Sequence, residues 1–104
     1  MIDRPAAVLA AQAFVSALRR GDQADPLVLR DDLTIERPFG WVFFYDSARY
    51  VDTKDRRFAV NGNAPIIVDR QDGSVHPTGT ARPIDEYIAT YEKTRIRTDD
   101  PKNG

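Results

Sequence analysis

Apolar residues recur at helical spacing near both ends of the chain and alternate or run together between them. Ala7, Ala10, Ala11, Phe14, Ala17 and Leu18 share one face of a helix predicted over about Arg4 to Arg20. Asp3 is placed to cap its start, Pro5 suits a first turn that needs no N–H, and Gly21 supplies a stop. The alanines permit close approach to a sheet, with Phe14 as the expected anchor. Near the other end, Ile84, Tyr87, Ile88 and Tyr91 form the apolar stripe of a helix predicted from about Pro83 to Lys93. Asp85 and Glu86 favour its positive N-terminal end.

Between the helices the period changes. Leu33 and Ile35 alternate with Thr34 and Glu36, which predicts a strand. Val28 and Leu29 either belong to it or pack separately before a bend at Asp31-Asp32. Pro38 and Gly40 mark a tight connection. Trp41 to Tyr45 is apolar at every position, which suits a central strand covered on both faces or one with a partner-binding face. Ala48, Tyr50 and Val51 fit either a short helix or a ragged strand, and Phe58-Ala59-Val60 fits a short strand. Asn61-Gly62-Asn63 is a turn signal. Pro65 opens a strand at Ile66-Ile67-Val68, Gln71-Asp72-Gly73 has hairpin-turn chemistry, and Ser74 to Pro77 pairs back.

The order helix, strand, strand, irregular segment, strand, strand, helix predicts an α+β fold. Its expected form is a small antiparallel β-meander of about four strands with an N-terminal and a C-terminal helix packed on one face. Residues 1–93 are expected to form a single domain and residues 94–104 a flexible tail.

Composition narrows the function classes. The chain has 104 residues, 41% hydrophobic and 30% charged, with a net charge of −1. That balance suits an ordinary globular domain and supports neither a nucleic-acid partner nor a membrane surface. Arg49, Lys54, Arg56, Arg57 and Arg70 are interleaved with Asp46, Asp52, Asp55, Asp69 and Asp72, which reads as a solvated mixed surface. Cysteine is absent, which excludes a disulfide scaffold and fits a reducing cytoplasm. The Ala-rich stretch from Ala6 to Leu18 lacks the features of a secretory leader and is too short to span a bilayer.

Candidate chemistry is sparse. His76, the only histidine, has no nucleophile and orienting carboxylate assigned to it by sequence, and reads as structural. Asp69 and Asp72 bracket a turn, and no aspartate spacing matches a metal loop. The expectation is therefore no catalytic residue, no metal and no cofactor. With both helices on one face, the aromatic strand would present a second, open face, and grouped exposed aromatics make protein-binding hot spots. Trp41, Phe44, Tyr45, Asp46 and Tyr50 are the candidate partner-binding residues. A pocket lined by Tyr45, Asp46, Tyr50 and arginines would instead point to a ligand-binding domain or small enzyme.

Residues Gly40 to Glu92 resemble the YrhB-type domain, or immunity protein 35 family. The similarity lies in Gly40-Trp41-Val42-Phe43-Phe44-Tyr45, Asn61-Gly62-Asn63-Ala64-Pro65-Ile66-Ile67-Val68-Asp69, Asp72-Gly73, Thr78-Gly79-Thr80, Glu86-Tyr87-Ile88 and Tyr91-Glu92. The resemblance implies a non-catalytic bacterial protein that binds and neutralises a cognate polymorphic toxin in the cytoplasm. It also admits a chaperone-like interaction module. An open sheet edge would offer a route to a homodimer.

Overall fold

A computed structural model describes residues 1–18, 26–58 and 64–99. Helix α1 (Arg4–Leu18) begins where expected, with the Asp3 carboxylate accepting the Ala6 N–H at 3.1 Å. Its expected end at Arg19, Arg20 and Gly21 lies outside the described residues. Strand β1 (Leu27–Leu29) stands apart from the next strand, separated by a 3-10 turn over Asp31–Leu33. Leu33 is therefore exposed in a turn rather than paired in a strand.

The aromatic run divides. Strands β2 (Ile35–Arg37) and β3 (Gly40–Phe43) form a hairpin, and the chain then leaves that sheet as β4 (Tyr45–Ser47), which pairs with β1. Strand β5 (Ile66–Asp69) pairs with β3 only as far as Ile66, which stands opposite Phe43. Past Phe43 the chain finds its partner on β1 instead, where the Arg30 N–H donates to the Phe44 carbonyl at 2.7 Å. Strand β6 (Val75–Pro77) completes the antiparallel order β2-β3-β5-β6, with β1-β4 as a separate pair. Pro65 keeps a structural duty through its carbonyl, which accepts both the N–H and the hydroxyl of Thr78.

Segment 48–53 is a short helix, α2 (Ala48–Thr53), and Arg56–Phe58 is a 3-10 turn rather than the expected start of a strand. Residues 59 and 60, and the turn expected at Asn61-Gly62-Asn63, lie outside the described residues. Ser47 joins these pieces from a fully buried position. Its hydroxyl caps α2 by accepting the Tyr50 N–H at 3.0 Å and donates to the Phe58 carbonyl at 2.7 Å. Ser47→Ala is expected to lower stability by about 1–2 kcal/mol, because it removes a cap and strands a carbonyl. Thermal unfolding would read this, and an unchanged midpoint would deny Ser47 that linking role.

Register and burial divide the four-stranded sheet into two packed faces. Trp41, Phe43, Ile66 and Val68 point to the side of α1, where they meet Ala7, Ala11 and Val15, with Tyr45 and Leu27 beside them. Val42 and Ile67 point to the other side and meet Phe39 and Ile88 of the last helix, α3 (Ile84–Asp99). The two helices therefore cover opposite faces of the sheet, not one. A strand with no polar face forces this, because a bare side would leave Val42 and Ile67 in water. Val15, rather than the half-buried Phe14, is the fully buried anchor of α1. The predicted stripe of α3 holds, with Ile88 buried and Ile84 and Tyr91 packed against the same cluster. Helix α3 continues to Asp99, past the expected end at Lys93, and only residues 100–104 of the expected tail lie outside the described residues.

Candidate binding cleft

The five residues expected to bind a partner do not form one exposed patch. Trp41 is 1% exposed, inside the α1-facing core, with the Arg70 guanidinium 4.5 Å from its ring centre. Tyr45 is 7% exposed in the same core, and burial pushes its phenol above the ordinary tyrosine range. Phe44 is half-buried against the α3-side cluster. Asp46 is half-buried and accepts the Ser47 N–H at 2.8 Å, and Tyr50 is half-buried on α2. Tyr45, Asp46 and Tyr50 come together at the β4–α2 corner through chain adjacency, while Trp41 lies in the sheet. The open aromatic face on which this group was predicted is absent, because α3 covers it.

The side chains with chemical potential gather elsewhere. A cleft of about 470 Å³ lies between the β5–β6 hairpin and α3, lined among others by Asp69, Asp72, Ser74, His76, Tyr87 and Tyr91. Sheet register explains the grouping. His76 stands opposite Ile67 and so faces α3, and Asp69, two residues after Ile67, faces the same way. Helix α3 contributes Tyr87, Thr90, Tyr91 and Thr94, which helical spacing brings to one side. Thr78 lines one wall, and Gly79 follows it. A Cβ on Gly79 would lie 2.5 Å from the Tyr87 hydroxyl, so glycine makes room for that ring.

The cleft is internally bonded. Asp69, 6% exposed, accepts the Gln71 N–H at 2.8 Å and the Tyr91 hydroxyl at 2.5 Å. The Asp72 carboxylate accepts the Ser74 N–H at 2.9 Å and the Ser74 hydroxyl at 2.6 Å, and these two bonds hold its pKa below the ordinary aspartate range. His76 Nε2 is 2.7 Å from the same hydroxyl, and its ring centre is 5.2 Å from that of Tyr91. A hydroxyl has one proton, and an ionised carboxylate only accepts. The Ser74 proton therefore goes to Asp72, which assigns the His76 Nε2 proton as donor to Ser74. In a nucleophile–base–carboxylate relay the imidazole stands between the other two groups. Here the hydroxyl stands in the middle, so the imidazole does not take its proton.

Sequence reading assigned Asp69 and Asp72 to a turn, and both make the turn bonds expected of them. The convergence with α3 was missed. Its signal was the alternation of Asp72, Ser74 and His76 together with tyrosines at i and i+4 on a helix. The pocket imagined around Tyr45, Asp46 and Tyr50 is not where this cleft lies. Among the described residues, no group of three or more His, Cys, Asp or Glu could hold a metal ion, and no helix is long and apolar enough to cross a membrane.

A family model described as immunity protein 35 matches residues 5–92. Among curated proteins, the chain is 37% identical over 83 residues to one from Escherichia coli (strain K12) described as uncharacterized protein YrhB. That similarity covers 77% of this chain and 84% of the relative. No solved structure gives a significant match.

Proposed function

Since the chain belongs to the immunity protein 35 family, we propose that it acts without catalysis, binding a toxin protein directly and neutralising it in the cytoplasm of the cell that makes both. The observation that carries this reading is the family match over residues 5–92, which runs from the first turn of α1 to the packing face of α3. The inverted order of carboxylate, hydroxyl and imidazole in the cleft supports a binding role over a hydrolytic one. The test is co-expression with the toxin domain encoded beside the gene. A stoichiometric complex on purification and rescue of growth are expected. Neither complex nor protection would end the inhibitor reading.

A second reading, a chaperone-like interaction module, draws on a different surface. An apolar groove runs between α1 and β1, lined by Pro5, Val8, Leu9, Val28 and Leu29, and Leu9 is 73% exposed. Suppression of aggregation of unrelated denatured proteins, lost in Leu9→Glu, would favour this role.

A further inference from the structure

Asp72-Gly73 is the one Asp–Gly pair in the chain. An aspartate before glycine carries a latent reaction, because no Cβ on the second residue hinders approach of its nitrogen to the aspartyl side chain. The pair lies in the turn between β5 and β6, where Asp72 is exposed and Gly73 has φ +74°. Water therefore reaches the side chain, and the backbone conformation is one that favours glycine.

The fold occupies both reacting groups. The Gly73 N–H donates to the Asp69 main-chain carbonyl at 2.9 Å. The Asp72 carboxylate accepts the Ser74 N–H at 2.9 Å and the Ser74 hydroxyl at 2.6 Å. That hydroxyl is itself anchored, 2.7 Å from His76 Nε2. Ring closure needs the nitrogen released from its acceptor and the carboxyl turned towards it in the protonated form. The two bonds from Ser74 oppose both changes, since they fix the carboxylate and favour its ionised state.

We propose that Asp72 is a modification site, converting spontaneously to isoaspartate through a cyclic imide closed by the Gly73 nitrogen, at a rate that Ser74 restrains. In the first step the Gly73 nitrogen bonds to Cγ of Asp72, and the carboxyl's OH departs with the amide proton as water. In the second step water adds to the ring. Addition at Cγ restores aspartate. Addition at the main-chain carbonyl carbon breaks its bond to nitrogen and leaves Gly73 joined through Cγ. The net change in composition is zero, but the main chain gains one atom in a turn that connects two paired strands. This site stands independently of the inhibitor reading.

The test incubates the full folded chain in warm neutral buffer below its unfolding midpoint, beside a capped peptide of residues 70–75. Peptide mapping follows the product, which keeps its mass and changes its retention time, whereas deamidation at an asparagine changes the mass. Isoaspartate is expected at Asp72 and not at the exposed Asp31, which no glycine follows. The folded chain should convert at least tenfold more slowly than the peptide. Ser74→Ala keeps the N–H bond and loses the hydroxyl one, so it should convert roughly tenfold faster than wild type. Ser74→Thr, which keeps a hydroxyl, should stay near the wild-type rate. No isoaspartate at Asp72 in wild type or Ser74→Ala, once the peptide has converted, would overturn the site. Equal rates in Ser74→Ala and wild type, or a Ser74→Thr rate matching Ser74→Ala, would overturn the restraint. Should Ser74→Ala unfold, the comparison of folded chain and peptide decides, and equal rates there would also overturn the restraint.

Discussion

Gly40→Ala is expected to cost more than about 3 kcal/mol of folding stability, because the new side chain would meet backbone that cannot move aside. Gly40 has φ +150°, and it opens β3 opposite Asp69 of β5. A Cβ there would fall inside contact distance of the Val68 carbonyl oxygen and lie 2.9 Å from the Arg70 nitrogen. Both are backbone atoms of the neighbouring strand and the turn after it, so no rotamer change relieves the clash. Relief requires separating β3 from β5, where the Arg70 N–H donates to the Phe39 carbonyl at 2.8 Å. A domain of this size has about 5–15 kcal/mol in all. Urea unfolding followed by fluorescence of the single tryptophan would read the loss. A wild-type midpoint would show that the strands part here at little cost.

Trp41→Ala is expected to destabilise the fold by about 3–5 kcal/mol, the range for emptying a large buried aromatic site. Trp41 is 1% exposed between Phe43 and Val68 on the sheet and the alanine face of α1, with Arg70 stacked on its ring. Removing it opens a cavity on the α1 side and frees Arg70 from a face it stacks on. This separates the two readings of the aromatic run. A core tryptophan loses stability and binding together, whereas a partner-binding one would lose binding at wild-type stability. Circular dichroism melts set beside toxin co-purification would distinguish them, and the second pattern would return Trp41 to the interface. Tyr50→Ala, at a half-buried site on α2, should cost less than Trp41→Ala in the same melt.

Much of the fold was legible because its signals are local. Asp3 as a cap, the stripe Ile84-Ile88-Tyr91, Pro65 before β5 and the Asp72-Gly73 turn each depend on a few neighbouring residues, and each is found where predicted. Legibility failed where the outcome depends on a distant partner. Nothing near Phe44 says that the strand changes sheets, because its new partner is β1, on a separate stretch of the chain. The run from Gly40 to Tyr45 is apolar throughout whether its second face meets a helix or a toxin, and only the position of α3 decides between them. The cleft failed for the same reason. Asp69 and Asp72 look like turn residues, and they are turn residues. They line a cleft only because α3 carries Tyr87 and Tyr91 across the hairpin.

By itself, the sequence determined the α+β class, the identity of most elements and the family, since periodicity, caps and turns act over a few residues. Tertiary structure alone decided that the helices take opposite faces, that Trp41 and Tyr45 are buried, and that two carboxylates meet two tyrosines in a cleft. Burial and convergence depend on which distant surfaces touch, and that is a property of the packed chain, not of any stretch of it.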